Sequence, residues 1–474
     1  MAELQENHNL YFVDADCYSR MTRVAMVYEH PGLIIRHHDF ENYPQGVTPH
    51  TSSVFDYCIA ALAWAMKPLL SNPLDWAGAL ISPLLAVLTA AFLWIWARAC
   101  DLPRRGIMMV LFIASPILVH GQIFGRPDHQ SLQMLLLAIA LGAEWKLTCG
   151  EKRGWGIVAG ISWGLALWVS LYEPLILFML VQVLRGVAGR ATWSWKNQRL
   201  VWGIALGFFL LGALVEFRNA PLPEGPDFAR WSATIGELGS MKPWNPELVR
   251  WVGLGLLLAP VALLWQRQMR VLFALLMAVY LLTLWQLRWG YFFALVFVMM
   301  SPWVFAWLRR GWLAWVVCLV SLWPVASEWE TRIFGGQEQH AQHLAEMEAL
   351  REIASGVHAP SLAPWWESPA LVYWSHQPSV AGSSHESLPG IVDSAKVFTA
   401  ESPAEALQIL KARGVHLVVV NDPDNLVANS ARILGKPVSD KALAYTLFNA
   451  PHSAPPFLRF VYQNQWFKVF QVQL

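Results

Sequence analysis

Five short stretches carry the residues whose types and spacing could do chemistry. YFVDADCYSRM (11–21) sets Asp14 and Asp16 one residue apart, and GRPDHQSL (125–132) puts Asp128, His129 and Gln130 in a row. WSATIGELG (231–239) carries Glu237, QLRWGYFF (286–293) carries Arg288, and PWWESP (364–369) carries Trp365, Trp366 and Glu367. Carboxylates joined by an imidazole or an amide oxygen from separate loops suit a hard divalent cation such as Mg²⁺ or Mn²⁺. A guanidinium grips phosphate oxygens bidentately, and together with a metal it offsets the charge that builds on a departing diphosphate. Taken singly, each stretch also has a plainer use. Asp128 can cap a helix, Glu237 can be a solvated loop acid, Arg288 can snorkel, and the paired tryptophans can be interface or core aromatics. Glu173 and Glu216 read as span ends facing water, and His37 and His38 as solvated loop residues.

The elements that must position these groups follow from composition. The chain has 474 residues, 55% of them hydrophobic and 14% charged, with 27 tryptophans. Soluble domains carry roughly 25% charged residues, so an ordinary soluble enzyme and a disordered chain are both excluded. A formal net charge of +1 gives no footprint for nucleic acid. Cys17, Cys58, Cys100, Cys149 and Cys318 are too few and too scattered for a disulfide framework or a zinc site.

A bilayer core takes about 20 apolar residues per helix. Ten runs approach that length: Trp76–Ala97, Gly106–Ile123, Leu132–Ala143, Trp155–Tyr172, Leu175–Leu184, Leu200–Val215, Trp251–Trp265, Val271–Leu287, Tyr291–Leu308 and Trp312–Pro324. Leu132–Ala143 and Leu175–Leu184 are short, and either extend into polar ends or include a re-entrant piece. Basic residues collect at every second connection: Arg98/Arg104/Arg105, Lys146/Lys152/Arg153, Arg185/Arg190/Lys196/Arg199, Arg267/Arg270 and Arg309/Arg310. Short cytoplasmic loops hold such an excess, which puts all five chemical stretches on the opposite, extracytoplasmic face. The resulting organisation is a first external region (1–75), a multi-span helical domain (76–329) with an external loop at 216–250, and an extracytoplasmic α/β domain (330–474). In that last part a polar helix is expected at 340–356 and another at 404–412, with strand-like runs at LVYW (371–374), HLVVVND (416–422) and 458–474. With residues 1–75 outside and no apolar segment before them, a first helix missing from the chain is the expectation.

The order of the five stretches resembles the catalytic subunit of oligosaccharyltransferases, of the bacterial and archaeal single-subunit type within the GT-C class of membrane glycosyltransferases. DADCYSR with ENYPQGVTPHTSSVFD (41–56) is similar to that family's first external loop, and GRPDHQ to its second acidic motif. TIGE (234–237) matches its TIxE motif, QLRW resembles its late Arg-containing stretch, and PWWESP resembles its WWDYG motif. The resemblance implies transfer of an oligosaccharide from a polyprenyl-diphosphate-type lipid carrier to an asparagine of an acceptor polypeptide, with inversion and with a divalent metal.

It also implies roles. Asp16 and Glu237 would bind the metal and the acceptor amide, and Asp128 would bind the metal with His129 or Gln130. Arg288 would contact the diphosphate, while Trp365, Trp366 and Glu367 would grip the acceptor. Gln130 stands where the family has a carboxylate or imidazole, and Glu367-Ser368-Pro369 replaces Asp-Tyr-Gly. The second difference keeps open the same architecture with a lipid, polysaccharide or hydroxyl acceptor. A transporter, whose charges would sit at mid-membrane in broken helices, fits the loop placement less well. In a bacterium the protein would lie in the inner membrane with a periplasmic reaction face.

Overall fold

Long apolar runs fold as helices here because lipid leaves the backbone no other way to satisfy its polar groups. The computed structural model describes residues 5–6, 9–148, 153–188, 195–217, 224–265 and 269–473. Cys149, Lys152, Arg190 and Arg267 lie outside the described residues. Two compact units share the chain: Met1–Ala79, Glu216–Gly236 and Gln339–Leu474 form one, Leu80–Val215 and Glu237–Glu338 the other.

The second unit is built almost wholly of helices. Among the described residues, four helices are long and apolar enough to cross a membrane: Pro73–Ala99, Lys196–Glu216, Leu287–Val304 and Gly311–Gly335. Three of them turn large apolar side chains outward, among them Val87, Leu88 and Ile95 on the first, Leu206, Leu210 and Leu214 on the second, and Val316, Leu319 and Val320 on the last. Such faces are stable against hydrocarbon and costly against water, so the protein is an integral membrane protein. Helix Leu287–Val304 is instead almost completely enclosed by protein.

Some apolar runs are not single helices. Gly106–Ile123 divides into helices Arg105–Ala114 and Pro116–His120, because Pro116 lacks the N–H needed to continue the ladder. Trp251–Trp265 divides at Gly253, whose φ of 82° suits glycine; a Cβ there would meet the Ser321 carbonyl at 2.8 Å. The two short runs lie inside longer helices, His129–Thr148 and Tyr172–Ala188. Basic residues at helix ends also serve the backbone: Lys146 donates to the Ala99 carbonyl at 2.6 Å, and Arg104 to the carbonyls of Leu308 and Arg309 at 3.1 Å. Arg185 is buried within its helix and pairs with Glu144.

The first unit joins a helical N-terminal region to an α/β segment. Helix Ala15–Glu29 starts at Asp14, whose carboxylate accepts the Cys17 N–H at 3.0 Å. It packs against helices Ser53–Met66 and Ser368–Ser375. Arg20 (2.8 Å) and Arg23 (3.5 Å) pair with the buried Asp56, so charge as well as packing joins the first two.

The four-stranded sheet runs Ser361–Leu362, Leu417–Asn421, Phe467–Val472, Leu458–Gln463; the first pairing is parallel and the others antiparallel. Val418 and Val420 bury against Leu410, Leu426, Leu443 and Phe470 to form the core. The helices expected at 340–356 and 404–412 occur as Gln337–Ala354 and Pro403–Arg413. LVYW is the exception: it lies in helix Ser368–Ser375, not in a strand. Pro369 in the first turn pre-sets helical φ, and a four-residue apolar run has no alternation to favour a strand.

Candidate functional site

The second unit gathers the charged residues of three of the five chemical stretches, around Asp128, Glu237 and Arg288. Asp128 stands just before helix His129–Thr148, and its Oδ1 accepts the Gln130 N–H at 3.2 Å, a capping bond. The same carboxylate meets His129 Nδ1 at 2.9 Å and Arg126 Nη2 at 3.5 Å. Burial alone would raise its pKa; His129 and then Arg126 reverse this and hold it well below the usual carboxylate range. Arg126 is itself fixed by His120, at 2.9 Å from Nε2, and His120 Nδ1 lies 2.9 Å from the Tyr291 hydroxyl.

Gln130 links this acid to the next. Its side-chain Nε2 donates to Glu237 Oε2 at 3.4 Å, and its Oε1 is buried with no hydrogen-bond partner. Glu237 lies in the short 3₁₀ turn Gly236–Leu238. The chain beyond it is fastened to the end of helix Arg270–Trp285: the Leu287 N–H donates to the Gly239 carbonyl and the Met241 N–H to the Leu284 carbonyl, both at 2.9 Å. That fastening carries Glu237 toward Arg288. The carboxylates of Glu173, Glu237 and Asp128 all act electrostatically on the Arg288 guanidinium.

Glu173 is the largest of these influences on Arg288. Its Oε1 lies 2.6 Å from Arg288 Nη2, and its Oε2 accepts from Ser170 Oγ at 3.1 Å. The expectation that Glu173 simply faces water at a span end is therefore corrected: it is buried because a guanidinium neutralises it. Tyr172 supports the same guanidinium, which sits 5.9 Å from its ring centroid. Glu173, Arg126, His120 and Tyr291 were given no role from sequence. GRPDHQ and QLRWGYFF contain two of them, but nothing local marks Glu173 as a partner of a residue 115 positions later.

The remaining stretches belong to the first unit. Asp16 is exposed in the first turn of helix Ala15–Glu29. Trp365 donates its indole N–H to Asn429 Oδ1 at 3.0 Å and packs edge-on against Trp231 and Trp366. Trp366 and Glu367 line a cavity of about 290 Å³ shared with Asp14, Tyr18, His343, Glu346, Asn421, Asp422 and Asn425. Glu367 is buried, and Asn421 Nδ2 donates to its Oε1 and to Glu346 Oε1, both at 3.2 Å. Burial, reinforced by the nearby Glu346, pushes the Glu367 carboxyl up to about 8, so it carries a proton at neutral pH.

Two further expectations are corrected in this unit. Glu216 is buried and holds the start of helix Ser53–Met66, accepting the Ser53 N–H at 2.9 Å and its hydroxyl at 3.2 Å. A carboxylate at a helix N-terminus is favoured by the dipole as well as by these bonds. His38 is buried beneath its loop, with its ring stacked 3.7 Å from Phe40 and its backbone bridged to Val47. Burial, then repulsion from Arg23, depresses its pKa well below the usual value, so it is not a solvated histidine.

The oligosaccharyltransferase of Archaeoglobus fulgidus in complex with Zn and sulfate aligns with a TM-score of 0.71 at 14% identity, covering 96% of this chain and 76% of that one. The fold is shared with that oligosaccharyltransferase. The oligosaccharyltransferase AglB from Archaeoglobus fulgidus in complex with an inhibitory peptide and a dolichol-phosphate aligns at 0.66 and 13% identity over the same shares. ArnT of Cupriavidus metallidurans bound to undecaprenyl phosphate aligns at 0.60 and 11% identity, covering 97% of this chain and 94% of that one. At these identities the likeness is one of fold. No family model and no curated sequence matches the chain.

Proposed function

We propose that this protein is a membrane glycosyltransferase that moves an oligosaccharide from a polyprenyl-diphosphate-type lipid carrier to an asparagine side chain of an acceptor polypeptide, with inversion at the anomeric carbon. The carrying observation is the meeting of Asp128, Gln130, Glu237 and Arg288 in one unit of a chain with this fold. The neighbours' ligands fit the same chemistry: a dolichol-phosphate and a peptide on AglB, and undecaprenyl phosphate on ArnT.

The residues suit a divalent ion. Gln130 Oε1 is a buried acceptor left without a donor on a residue hydrogen-bonded to both Asp128 and Glu237, and an all-oxygen set of this kind takes Mg²⁺ or Mn²⁺. Asp128, Gln130 and Glu237 would hold it, and the resemblance adds Asp16 as a first-loop ligand. When bound, the ion would offset the charge that develops on the departing diphosphate.

The protein's own groups do the rest. Arg288, steadied by Glu173 through one nitrogen, offers its remaining donors to the diphosphate. An amide nitrogen is a poor nucleophile because its lone pair is delocalised into the carbonyl. Glu237, with Asp16 by resemblance, accepts hydrogen bonds from the amide N–H groups and so favours a twisted, less conjugated amide. As the new N–C bond forms at the anomeric carbon, the C–O bond to diphosphate breaks and a carboxylate takes the amide proton. Glu367, protonated, can donate to an acceptor hydroxyl where an ionised acid could only accept. The reaction face is the extracytoplasmic one by the distribution of basic loops.

The test uses the purified protein with a lipid-linked oligosaccharide and two peptides, one with Asn-x-Thr and one with Gln-x-Thr. Glycosylation of the first alone is expected. Modification of neither, with the glycan transferred instead to lipid or to a hydroxyl, would overturn the asparagine acceptor.

A further inference from the structure

The first unit contains a cluster that the proposed reaction does not use. His50 lies just ahead of helix Ser53–Met66, and His385 and Glu386 open the 3₁₀ turn His385–Ser387, more than 330 residues further on. One ring nitrogen from each histidine and a carboxylate oxygen of Glu386 all lie within 4.8 Å of one another. The two imidazoles face each other, with centroids 4.5 Å apart and planes tilted by 40°.

The two oxygens of Glu386 are used unequally. Oε1 is engaged by His50, through the backbone N–H and through Nδ1 at 2.7 Å. Oε2 is fully buried, makes no hydrogen bond and stands 3.4 Å from His385 Nδ1. That separation matches the edge of a tetrahedron whose metal–ligand bonds are about 2.1 Å long. A carboxylate oxygen withdrawn from solvent with no donor is costly, and a cation would relieve it.

We propose that His50, His385 and Glu386 form a Zn²⁺ site. Two imidazoles and one carboxylate are a zinc donor set; Mg²⁺ and Ca²⁺ prefer oxygen alone. The His50 side chain is 49% exposed, which leaves an entry path and room for water as the fourth ligand. The surrounding bonds already fix the turn: Glu41 Oε2 accepts from Ser384 Oγ at 2.8 Å, and Glu41 Oε1 accepts from Ser19 Oγ. Outer contacts of this kind orient ligands and sharpen affinity. The bound ion would pin the loop around residue 50 to the turn at 385–387, two segments of one unit far apart in the chain.

The full chain in detergent is loaded with Zn²⁺, passed over chelating resin and its metal counted by mass spectrometry, beside His50→Gln, His385→Gln and Asp128→Ala. The wild type and Asp128→Ala are each expected to keep about one Zn²⁺ per chain at this site. Either histidine variant is expected to bind Zn²⁺ at least about tenfold more weakly. Zn²⁺ is also expected to raise the melting temperature by about 3 °C in the wild type and in Asp128→Ala, and to leave both histidine variants unmoved. His50→Gln keeps a donor able to reach Glu386, and each apo variant is melted beside the apo wild type so that loss of the His50–Glu386 bond is separated from loss of the metal. The proposal is overturned if the wild type keeps no Zn²⁺, if both histidine variants keep it, or if only Asp128→Ala loses it.

Discussion

Asp128 and Glu367 are both acids withdrawn from solvent, one in each unit, yet they end in opposite charge states. Burial pushes both toward the neutral form. For Asp128 that push is overcome by His129 at 2.9 Å and Arg126 at 3.5 Å. Glu367 is met by the neutral donors of Asn421 and Trp366, with no cation to offset its burial, and a second carboxylate, Glu346, repels its charge. Burial sets the size of the penalty, and the nearest charges decide its outcome. An ionised acid suits a metal and a developing cationic sugar; a protonated one suits hydrogen-bond donation.

The strongest way to break this contrast is to remove the acids of the ionised cluster. Asp128→Ala and Glu237→Ala are each expected to lower glycan transfer by about 10²–10³-fold, measured with a lipid-linked donor at normal expression. Asp16→Ala tests the first-loop acid in the same assay, and near-normal transfer would detach it from the reaction. Glu173→Gln comes next. It keeps the shape but removes the counter-charge of Arg288, so the KM for the lipid donor should rise by about tenfold with a smaller change in kcat. An unchanged KM would mean that the Glu173–Arg288 pair is structural only.

A milder change is expected from Gln130→Ala. Loss of the amide oxygen should raise the Mg²⁺ or Mn²⁺ concentration needed for half-maximal transfer by about tenfold, leaving the rate at saturating metal nearly intact. An unshifted metal requirement would remove Gln130 from the ligand set. The smallest effect concerns Glu367, and it is read in stability. Its folded pKa of about 8 lies above the ordinary 4.5, so the folded state holds an extra proton. The associated stability is complete below about pH 4.5 and is lost as pH rises through about 8. Glu367→Gln mimics the protonated form. Its melting temperature should therefore fall less than that of the wild type between about pH 6 and 9. Parallel curves would show that Glu367 is ionised in the native protein.

Much of this was legible before any tertiary information, and the exceptions share a cause. Helix Pro403–Arg413, strand Leu417–Asn421 and the strand character of the closing segment follow from local patterns of apolar residues, while the pairing of that segment into a hairpin does not. LVYW misleads because four apolar residues carry no period, and the proline that settles the matter stands outside the run. Glu173, Glu216 and His38 mislead because a polar residue at a span end or in a loop is solvated unless the folded chain covers it. Arg288, Ser53 and Phe40 do so here, and two of those three partners lie more than 100 residues away.

Composition alone settles that this chain lives in a membrane, since hydrocarbon content is a sum over residues and needs no geometry. Order along the chain was enough to bring out five chemical stretches and their resemblance to one family. Which acids hold their protons, which carboxylate steadies each arginine, and which histidines converge on Glu386 were decided only by the folded arrangement. Electrostatic neighbours come from remote segments, and Coulomb energies depend on distances through space that spacing along a sequence does not contain.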